Sequence, residues 1–340
     1  MTGDTYSKAG VNLEASQRIT ETIKSIVSPH LGPEVIGGIG FFGGMYDLKG
    51  YAQPVLVSST DSVGTKVKIA NLMGRFDTLG VDLVNHCIND IFTCGATPLF
   101  FLDYIAMGTL VPDKVTDLIK GVVAACQTAG CYLIGGETAE LPGVYPGNEF
   151  DLVGFVVGAV EKNSLQDSSR IEDGDLLIGV PSSGLHTNGY SLAREVFDLE
   201  ENSSILSHVY EDLGVTLGDA LLEPHICYYP SMNPVMPLIK GMAHITGGGL
   251  PENVPRILPS GLGAVFDIGS WDNLPIFEVI QRVGRVDIDE MFRVFNMGLG
   301  MVIVVTPDRA DQVCSLVEGA RLVGRISSNV GESRIFLTRK

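Results

Sequence analysis

Three polar clusters in the first half of the chain combine residue types that handle phosphate and metal. The first is Ser58-Ser59-Thr60-Asp61-Ser62-Val63-Gly64-Thr65-Lys66, which ends an apolar strand with a carboxylate, a glycine, a hydroxyl and an ammonium group. Ligands of α/β proteins sit at such strand ends. Asp61 could hold Mg²⁺ while Thr65 and Lys66 meet phosphate oxygens, or Asp61 could simply cap the next element. The second cluster is helical. Val81, Val84, Ile88 and Ile91 step by three and four to form an apolar stripe, and Asp82, Asn85 and Asn89 share the opposite face with Asp90 at its edge. That face is either solvated or functional, and two mid-helix asparagines beside carboxylates favour function, because Asn is a mediocre helix former. The third is Gly135-Gly136-Glu137-Thr138-Ala139-Glu140-Leu141-Pro142-Gly143, where Glu137 projects at a strand end within expected reach of Asp61 and Asp90. Three carboxylates with no His or Cys among them suit Mg²⁺, which takes hard oxygen ligands.

The second half offers two turns. Strand residues 176–180 run into Pro181-Ser182-Ser183-Gly184-Leu185-His186-Thr187-Asn188-Gly189-Tyr190, and His244-Ile245-Thr246-Gly247-Gly248-Gly249 precedes a helix with Asn253, Pro255 and Arg256. A small-residue turn at a helix N-terminus presents free backbone N–H groups to an anion. Three consecutive glycines cost backbone entropy and need a reason such as close approach of a phosphate, although a tight turn alone is the alternative. Lone histidines such as His186 and His244 are usually hydrogen-bonded structural residues, and their position inside these turns strengthens the case for a substrate role.

Gly38-x-Gly40-x-x-Gly43 matches the dinucleotide-binding fingerprint by letter. That fingerprint requires a strand before it and a helix opening at its last glycine. Here a helix and two prolines precede it and a strand follows, so residues 37–44 read instead as a glycine loop that closes over a ligand, or as a structural turn. No Walker-type phosphate loop occurs.

These clusters need elements to hold them. Helical periodicity predicts helices over residues 13–27, 79–94, 112–129, 188–197, 252–258, 275–283 and 310–319. Strands are predicted over 54–59, 99–105, 131–134, 151–160, 176–180, 264–268 and 300–306, with two short β segments near Val323 and Ile335. Strands alternating with helices imply a mixed α/β fold. The polar stretch 162–175 reads as a linker between two domains, 1–165 and 170–340, split near residue 168.

Composition narrows the class. Of 340 residues, 41 are glycine, about 12% against a typical ~7%. With 45% apolar and 19% charged residues, disorder is excluded. A formal charge of −17 argues against nucleic acid or an anionic membrane as partner. No run reaches membrane-span length, and the first ten residues lack a signal-peptide layout, so a soluble cytoplasmic protein is expected. The six cysteines contain no Cys-x-x-Cys pair and the six histidines no zinc-type pair, so buried reduced thiols are expected and a Cys/His metal site is not.

In order and spacing, these segments resemble the phosphoribosylformylglycinamidine cyclo-ligase (aminoimidazole ribonucleotide synthetase) family. The resemblance runs from Tyr6-Ser7-Lys8-Ala9-Gly10-Val11 through residues 60–66, Asn89-Asp90-Ile91, Pro98-Leu99-Phe100-Phe101-Leu102-Asp103-Tyr104 and 135–145. It continues through 182–194, 244–259 and Glu290-Met291-Phe292-Arg293-Val294-Phe295-Asn296-Met297-Gly298. It implies a homodimer of two-domain chains whose N-terminal domains join their sheets into a shared β-barrel. ATP and Mg²⁺ would lie between domains near the dimer interface, with the N-terminal domain binding ATP and Mg²⁺ and the C-terminal domain adding substrate contacts.

The implied reaction is ring closure of formylglycinamidine ribonucleotide in purine biosynthesis. The formamide oxygen attacks the γ-phosphate, and the resulting iminophosphate is closed by the substrate's own amidine nitrogen with loss of phosphate. By motif match, Asp61, Asp90 and Glu137 would hold Mg²⁺. Lys24, Gly38, Gly40, Gly43, Gly44, Thr65, Lys66, Asn89 and Gly136 would meet ATP. Ser183, Gly184, His186, Asn188, Thr246, Gly247, Gly248 and Arg256 would contact substrate, and Lys24, Asp61, Asp90 and His244 would act in catalysis, His244 in proton transfer.

Two departures from the family pattern stand out: Ser62 replaces a glycine, and Pro224-His225-Ile226 stands where Pro-Thr-Arg is frequent. The rival readings are a kinase of the same superfamily and a non-catalytic maturation protein. The latter would be expected to end in a reactive Cys, whereas this chain ends Leu337-Thr338-Arg339-Lys340.

Overall fold

The computed structural model describes residues 13–328 and 333–339. The Tyr6-to-Val11 segment of the family resemblance and Lys340 lie outside them. The chain divides into two compact units. One runs as far as Ile91 and includes Ala96–Lys162; the other takes the chain from Asn163 onward together with Phe92–Gly95.

In the first unit, helix α1 (Leu13–Val27) buries Ala15, Ile19 and Val27 and ends in a 3₁₀ turn at Ser28–His30, where Pro29 supplies no N–H. Strands β1 (Val35–Ile36) and β2 (Met45–Tyr46) pair antiparallel, so the glycine run 37–44 is the loop of a small ribbon. Positive φ at Gly37, Gly38 and Gly40 is what requires glycine there. A four-stranded sheet follows, built from β3 (Pro54–Ser62), β4 (Thr97–Met107), β5 (Tyr132–Glu140) and β6 (Phe150–Glu161) in the order β3-β6-β4-β5. Strand β6 is antiparallel to β3 and β4, and β4 is parallel to β5. Strands β3, β4 and β5 therefore all end at one edge.

Three further helices of this unit are α2 (Lys66–Met73), α3 (Asp77–Phe92) and α4 (Pro112–Ala129). Helix α2 departs from the sequence reading, which left residues 58–66 as a strand-end loop. Strand β3 instead runs to Ser62 and a helix opens at Lys66, driven by burial of Val67, Ile69 and Ala70. On helix α3 the polar face is not solvated: Asp82, Asn85 and Asn89 are buried. Among the described residues, one face of the sheet presents exposed apolar side chains. Leu56 and Phe155 are 62% and 38% exposed there, with Leu102 and Tyr104 half-buried beside them.

The second unit is a six-stranded sheet. Its strands are β7 (Leu176–Pro181), β8 (Gly241–His244), β9 (Gly263–Asp267), β10 (Leu299–Val305), β11 (Arg321–Ser327) and β12 (Ile335–Thr338), in the order β12-β9-β11-β7-β10-β8. Strand β10 is antiparallel to both β7 and β8, with Leu299 opposite Pro181 and Met301 opposite His244. The ends of β7 and β8 and the start of β10 therefore meet at one edge. The helices are α5 (Tyr190–Val196), α6 (Leu217–Leu222), α7 (Tyr229–Met232), α8 (Gly249–Asn253), α9 (Pro275–Gly284), α10 (Ile288–Val294) and α11 (Ala310–Leu316). The helix expected over 252–258 is instead a short α8 followed by a 3₁₀ turn, Val254–Ile257, because Pro255 has no N–H to continue the hydrogen-bond ladder.

The expected linker is structured. Gln166 N–H donates to the Cys94 carbonyl at 3.1 Å, the Arg170 guanidinium donates to the Ile239 carbonyl at 3.2 Å, and buried Asp175 pairs with Lys240 at 2.9 Å. Phe92 joins the core of this unit with Tyr228, Met232 and Val235. The polar residues of this stretch, which begins at the boundary between the two units, are used in capping and pairing. The six cysteines are free.

Helices α3 and α4 approach at two glycines. A Cβ on Gly80 would lie 2.2 Å from the Leu118 carbonyl oxygen, and one on Gly121 would lie 2.6 Å from the Asp77 carbonyl oxygen. Both obstacles are backbone, which cannot swing aside. Gly80→Ala should therefore destabilise the chain by about 1–3 kcal/mol in urea unfolding, despite the better helix propensity of Ala.

Candidate functional site

Helix α3 lies against the first sheet and carries its polar residues inward. Asp82 forms a fully buried ion pair with Lys66 at 2.7 Å, both side chains 0% exposed. One turn on, His86 Nε2 lies 3.0 Å from Asp61 Oδ2 on β3, and a turn later Asp90 Oδ2 accepts a 3.0 Å hydrogen bond from Ser59 Oγ. Burial works against charge on His86, but its hydrogen bond to Asp61 and the charges of Asp61, Asp90 and Asp82 outweigh this and raise its pKa. Burial likewise works against the Asp61 carboxylate. The hydrogen bond and charge of His86, with the Ser62 N–H, reverse that and hold its carboxyl below the usual range, although Asp90 pushes the other way.

The structure thus brings Asp61 and Asp90 together and adds His86, which the sequence reading passed over. The i, i+4 series Asp82-His86-Asp90 was the available signal. It also corrects two expectations. Lys66 was expected to meet phosphate, but its ammonium group is enclosed with Asp82. Glu137 was expected to share an ion with Asp61 and Asp90. Asp61, Gly154, Asp103 and Gly136 are successive register partners across the sheet, so β5 lies three strand spacings, roughly 14 Å, from β3. Glu137 is one residue further along β5 and points to the opposite face. Within one chain it cannot join a Mg²⁺ shell whose ligands lie ~2.1 Å from the ion. Asn89 is buried in α3, and Thr65 is half-buried at the N-terminus of α2.

Glu137 belongs to a second feature. A cleft of about 510 Å³ opens between α1, the glycine loop and the β4/β5 ends, lined among others by Lys24, Gly40, Gly43, Gly44, Asp103 and Glu137. Lys24 packs so closely on the loop that a Cβ on Gly40 would lie 2.9 Å from its Nζ. A Cβ on Gly44 would lie 2.7 Å from Ile134, and the loop tip exposes Phe41 and Phe42. Gly38 has positive φ in the same loop, outside the cleft lining. Asp103, absent from the predicted site, is 8% exposed, and burial pushes its carboxyl up to about 7. Bare Gly136 makes room for it, since a Cβ there would lie 2.1 Å from Asp103 Oδ1.

In the second unit, β7, β8 and β10 deliver their turns to one edge. Asn296 ties two of them together: its Nδ2 donates to the Gly184 carbonyl at 2.9 Å, while its Oδ1 takes 2.9 Å bonds from Ser182 Oγ and Gly298 N–H. Asn253 braces the glycine turn, donating to the carbonyls of Thr246, Gly247 and Gly249, with Thr246 Oγ1 bonded to its Oδ1 at 3.2 Å. The turns meet where a Cβ on Gly247 would lie 3.2 Å from Asn188 Oδ1. Gly248 has positive φ as the N-cap of α8. Ser183 Oγ donates to the Pro224 carbonyl at 2.5 Å, and His186, His225 and His244 are all buried nearby. Arg256 is exposed on the 3₁₀ turn that follows. Neither asparagine was foreseen as a brace, because each acts on carbonyls distant in sequence.

Removing Lys66 would strand a buried carboxylate. Lys66→Met should cost about 3–5 kcal/mol in urea unfolding, while Lys66→Met combined with Asp82→Leu should recover most of that loss. Asp103 supplies a pH test. It stays protonated in the folded chain to about pH 7, whereas an unfolded Asp ionises near ~3.9. Between those values the unfolded chain binds fewer protons, so stability falls as pH rises. Relative to Asp103→Asn, the wild type should lose a few kcal/mol of unfolding free energy between pH 4 and 8.

Comparison with known proteins accords with this architecture. Residues 45–160 match the AIR synthase related protein N-terminal domain, and residues 172–336 match the corresponding C-terminal domain. A curated relative from Geobacillus kaustophilus, phosphoribosylformylglycinamidine cyclo-ligase, is 49% identical over 336 residues, covering 96% of this chain and 97% of that one. Among solved structures, thiamine-monophosphate kinase from Stenotrophomonas maltophilia superposes with a TM-score of 0.66 at 17% identity, covering 94% of each chain. The hydrogenase maturation protein HypE, solved in complex with ATP, gives 0.61 at 16%, covering 95% of this chain and 91% of that one. At such identities these structures share the two-domain mixed α/β fold alone. At 49% identity over nearly its whole length, the chain belongs to the phosphoribosylformylglycinamidine cyclo-ligase family.

Proposed function

We propose that the chain closes the imidazole ring of 5-aminoimidazole ribonucleotide from formylglycinamidine ribonucleotide, using ATP and releasing ADP and phosphate. The observation that carries this reading is the near full-length kinship at 49% identity, spanning both family domains. An amide oxygen is a poor leaving group. Its transfer onto the γ-phosphorus expels ADP, after which the amidine nitrogen adds to the same carbon, phosphate departs and the nitrogen gives up a proton.

The nucleotide triphosphate is assigned to the cleft beneath the glycine loop. Lys24 offers a cation there, and the backbone of residues 37–44 can approach a phosphate closely because three of its glycines adopt positive φ. Asp61 and Asp90 offer the hard oxygen donors that Mg²⁺ selects. When bound, Mg²⁺ would neutralise charge on phosphate oxygens. Ser59 and His86 orient these two carboxylates. In the second unit, the braced turns at 182–188 and 246–248 hold Gly184, Asn188, Thr246, Gly247 and Gly248 around one edge, where the ribonucleotide would bind. His244 takes the proton from the closing nitrogen. Positioning supplies most of the rate acceleration in such a scheme.

A homodimer accounts for the exposed apolar side chains on one sheet face of the first unit. An apolar sheet face seeks cover, and a second copy joining its sheet to this one in a barrel would enclose Leu56 and Phe155.

Purified chain with ATP, Mg²⁺ and formylglycinamidine ribonucleotide should yield aminoimidazole ribonucleotide, with one ADP and one phosphate per ring. Accumulation of a stable phosphorylated product would replace this reading with a kinase one. Asp90→Asn should lower turnover at least roughly 100-fold with an unchanged circular dichroism spectrum. Near wild-type turnover would remove Asp90 from the site.

A further inference from the structure

A second cavity, of about 450 Å³, lies wholly within the second unit, and none of the residues assigned above to substrate, nucleotide or metal lines it. Its floor is apolar: Trp271, Phe292 and Met297 line it and are buried. That floor is held in place. The Trp271 indole Nε1–H donates to the Met297 carbonyl at 2.9 Å, and its ring meets Phe266 edge to face at 80°. Met297 adopts φ 50°, a left-handed conformation that costs a residue with a side chain energy and persists only where its surroundings fix it. Asn296 Oδ1 does so from one side, accepting the Gly298 N–H at 2.9 Å. From the other, a Cβ on Gly298 would lie 2.9 Å from the Asp272 carbonyl oxygen, so only glycine lets the Trp271 turn come this close.

The rim is polar. Glu278, Gln281 and Arg282 step by three and one along α9 and share one face of it, and Asn273 stands just before that helix. Arg339 enters from β12, placed by the pairing of Thr338 with Asp267 and by a 2.9 Å bond from the Ile268 N–H to the Thr338 carbonyl. Arg282 also pairs with Asp212 at 2.6 Å, but an exposed pair of that kind adds little stability and gives way readily. Two guanidinium groups against the single carboxylate of Glu278 make this rim cationic in a chain of net charge −17.

We propose that this cavity is a second ligand site, taking a small molecule that joins a flat nitrogen-containing ring to an anionic group, as a nucleoside monophosphate does. A volume of this order suits a ligand of that size. The ring packs on Trp271, Phe292 and Met297, whose fixed positions leave little order to be lost on binding. Arg282 and Arg339 receive the anion, since a planar guanidinium matches two oxygens of one phosphate or carboxylate. The amides of Asn273 and Gln281 and the Glu278 carboxylate offer both donors and acceptors to the ring edge. An inorganic anion alone would use the arginines and leave the aromatic floor bare. The site requires no part of the ring-closure reading.

Trp271 is the only tryptophan of the chain, so intrinsic tryptophan fluorescence of the full chain reports on this cavity. Titration with adenosine 5′-monophosphate should give a saturable change with Kd below about 1 mM. Adenosine, which lacks the anion, and inorganic phosphate, which lacks the ring, should each bind at least roughly tenfold more weakly. Arg282 and Arg339 are exposed, so Arg282→Gln and Arg339→Gln should keep the circular dichroism spectrum of the wild type. Each should weaken the monophosphate about tenfold and leave the affinity for adenosine unchanged. Absence of a saturable change with the monophosphate overturns the proposal. So does adenosine or phosphate binding as tightly as the monophosphate, and so does an unaltered monophosphate affinity in both arginine variants. A chain that closes no imidazole ring would sink the functional reading and leave each of these outcomes as decisive as before.

Discussion

Enclosure of helix α3 is the constraint on which the first unit depends. A helix buried on every side cannot carry charges unless each is matched, because an unpaired buried charge costs several kcal/mol. Asp82, His86 and Asp90 lie on successive turns, and each is matched by the segment leading from β3 into α2: Lys66, Asp61 and Ser59 respectively. The ladder of contacts holds β3, α2 and α3 in one arrangement. It leaves Asp61 partly exposed at the strand end with its carboxylate charged. A pair of carboxylates held side by side is thus a consequence of satisfying a buried helix.

The second unit solves the corresponding problem with neutral groups. Its turns expose backbone at a sheet edge, and Asn296 and Asn253 take up the carbonyls that the sharp turns leave over. Glycine recurs wherever backbone meets backbone. Gly249 approaches the Phe292 carbonyl, with a Cβ there only 2.0 Å from its oxygen, and Gly189 faces the Phe295 ring. A chain of charge −17 can therefore offer sites for small phosphorylated ligands without a basic surface. Oriented backbone N–H groups attract an anion by their partial charges without a basic surface.

Much of this was legible in the sequence, for identifiable reasons. Strand and helix periods located most elements, and the rejection of a dinucleotide fold at Gly38-x-Gly40-x-x-Gly43 agrees with a loop between β1 and β2. Polar residues at 61, 186 and 244 stood beside glycines or strand ends, and Asp90 stood at the edge of a polar helix face, where local chemistry is readable. Helix α2 was missed because its signal, Val67, Ile69 and Ala70, is short and becomes apolar burial only once α2 has packed. The segment 162–175 read as a linker because polar residues that cap and pair look like polar residues that are merely solvated.

Residue type and spacing determined which groups could do chemistry, and order and spacing together determined the family. The tertiary structure decided which of those groups meet. Glu137 and Asp61 carry the same functional group and sit at comparable strand ends, yet strand order places them about 14 Å apart on opposite faces. Lys66 has the composition of a phosphate ligand and is instead the buried partner of Asp82. His225, which the sequence marked only as part of a departure from the family's Pro-Thr-Arg, stands between two other histidines. Local sequence encodes a side chain's chemistry, but its distance to a partner depends on strand order and packing, to which residues far apart in the chain contribute jointly.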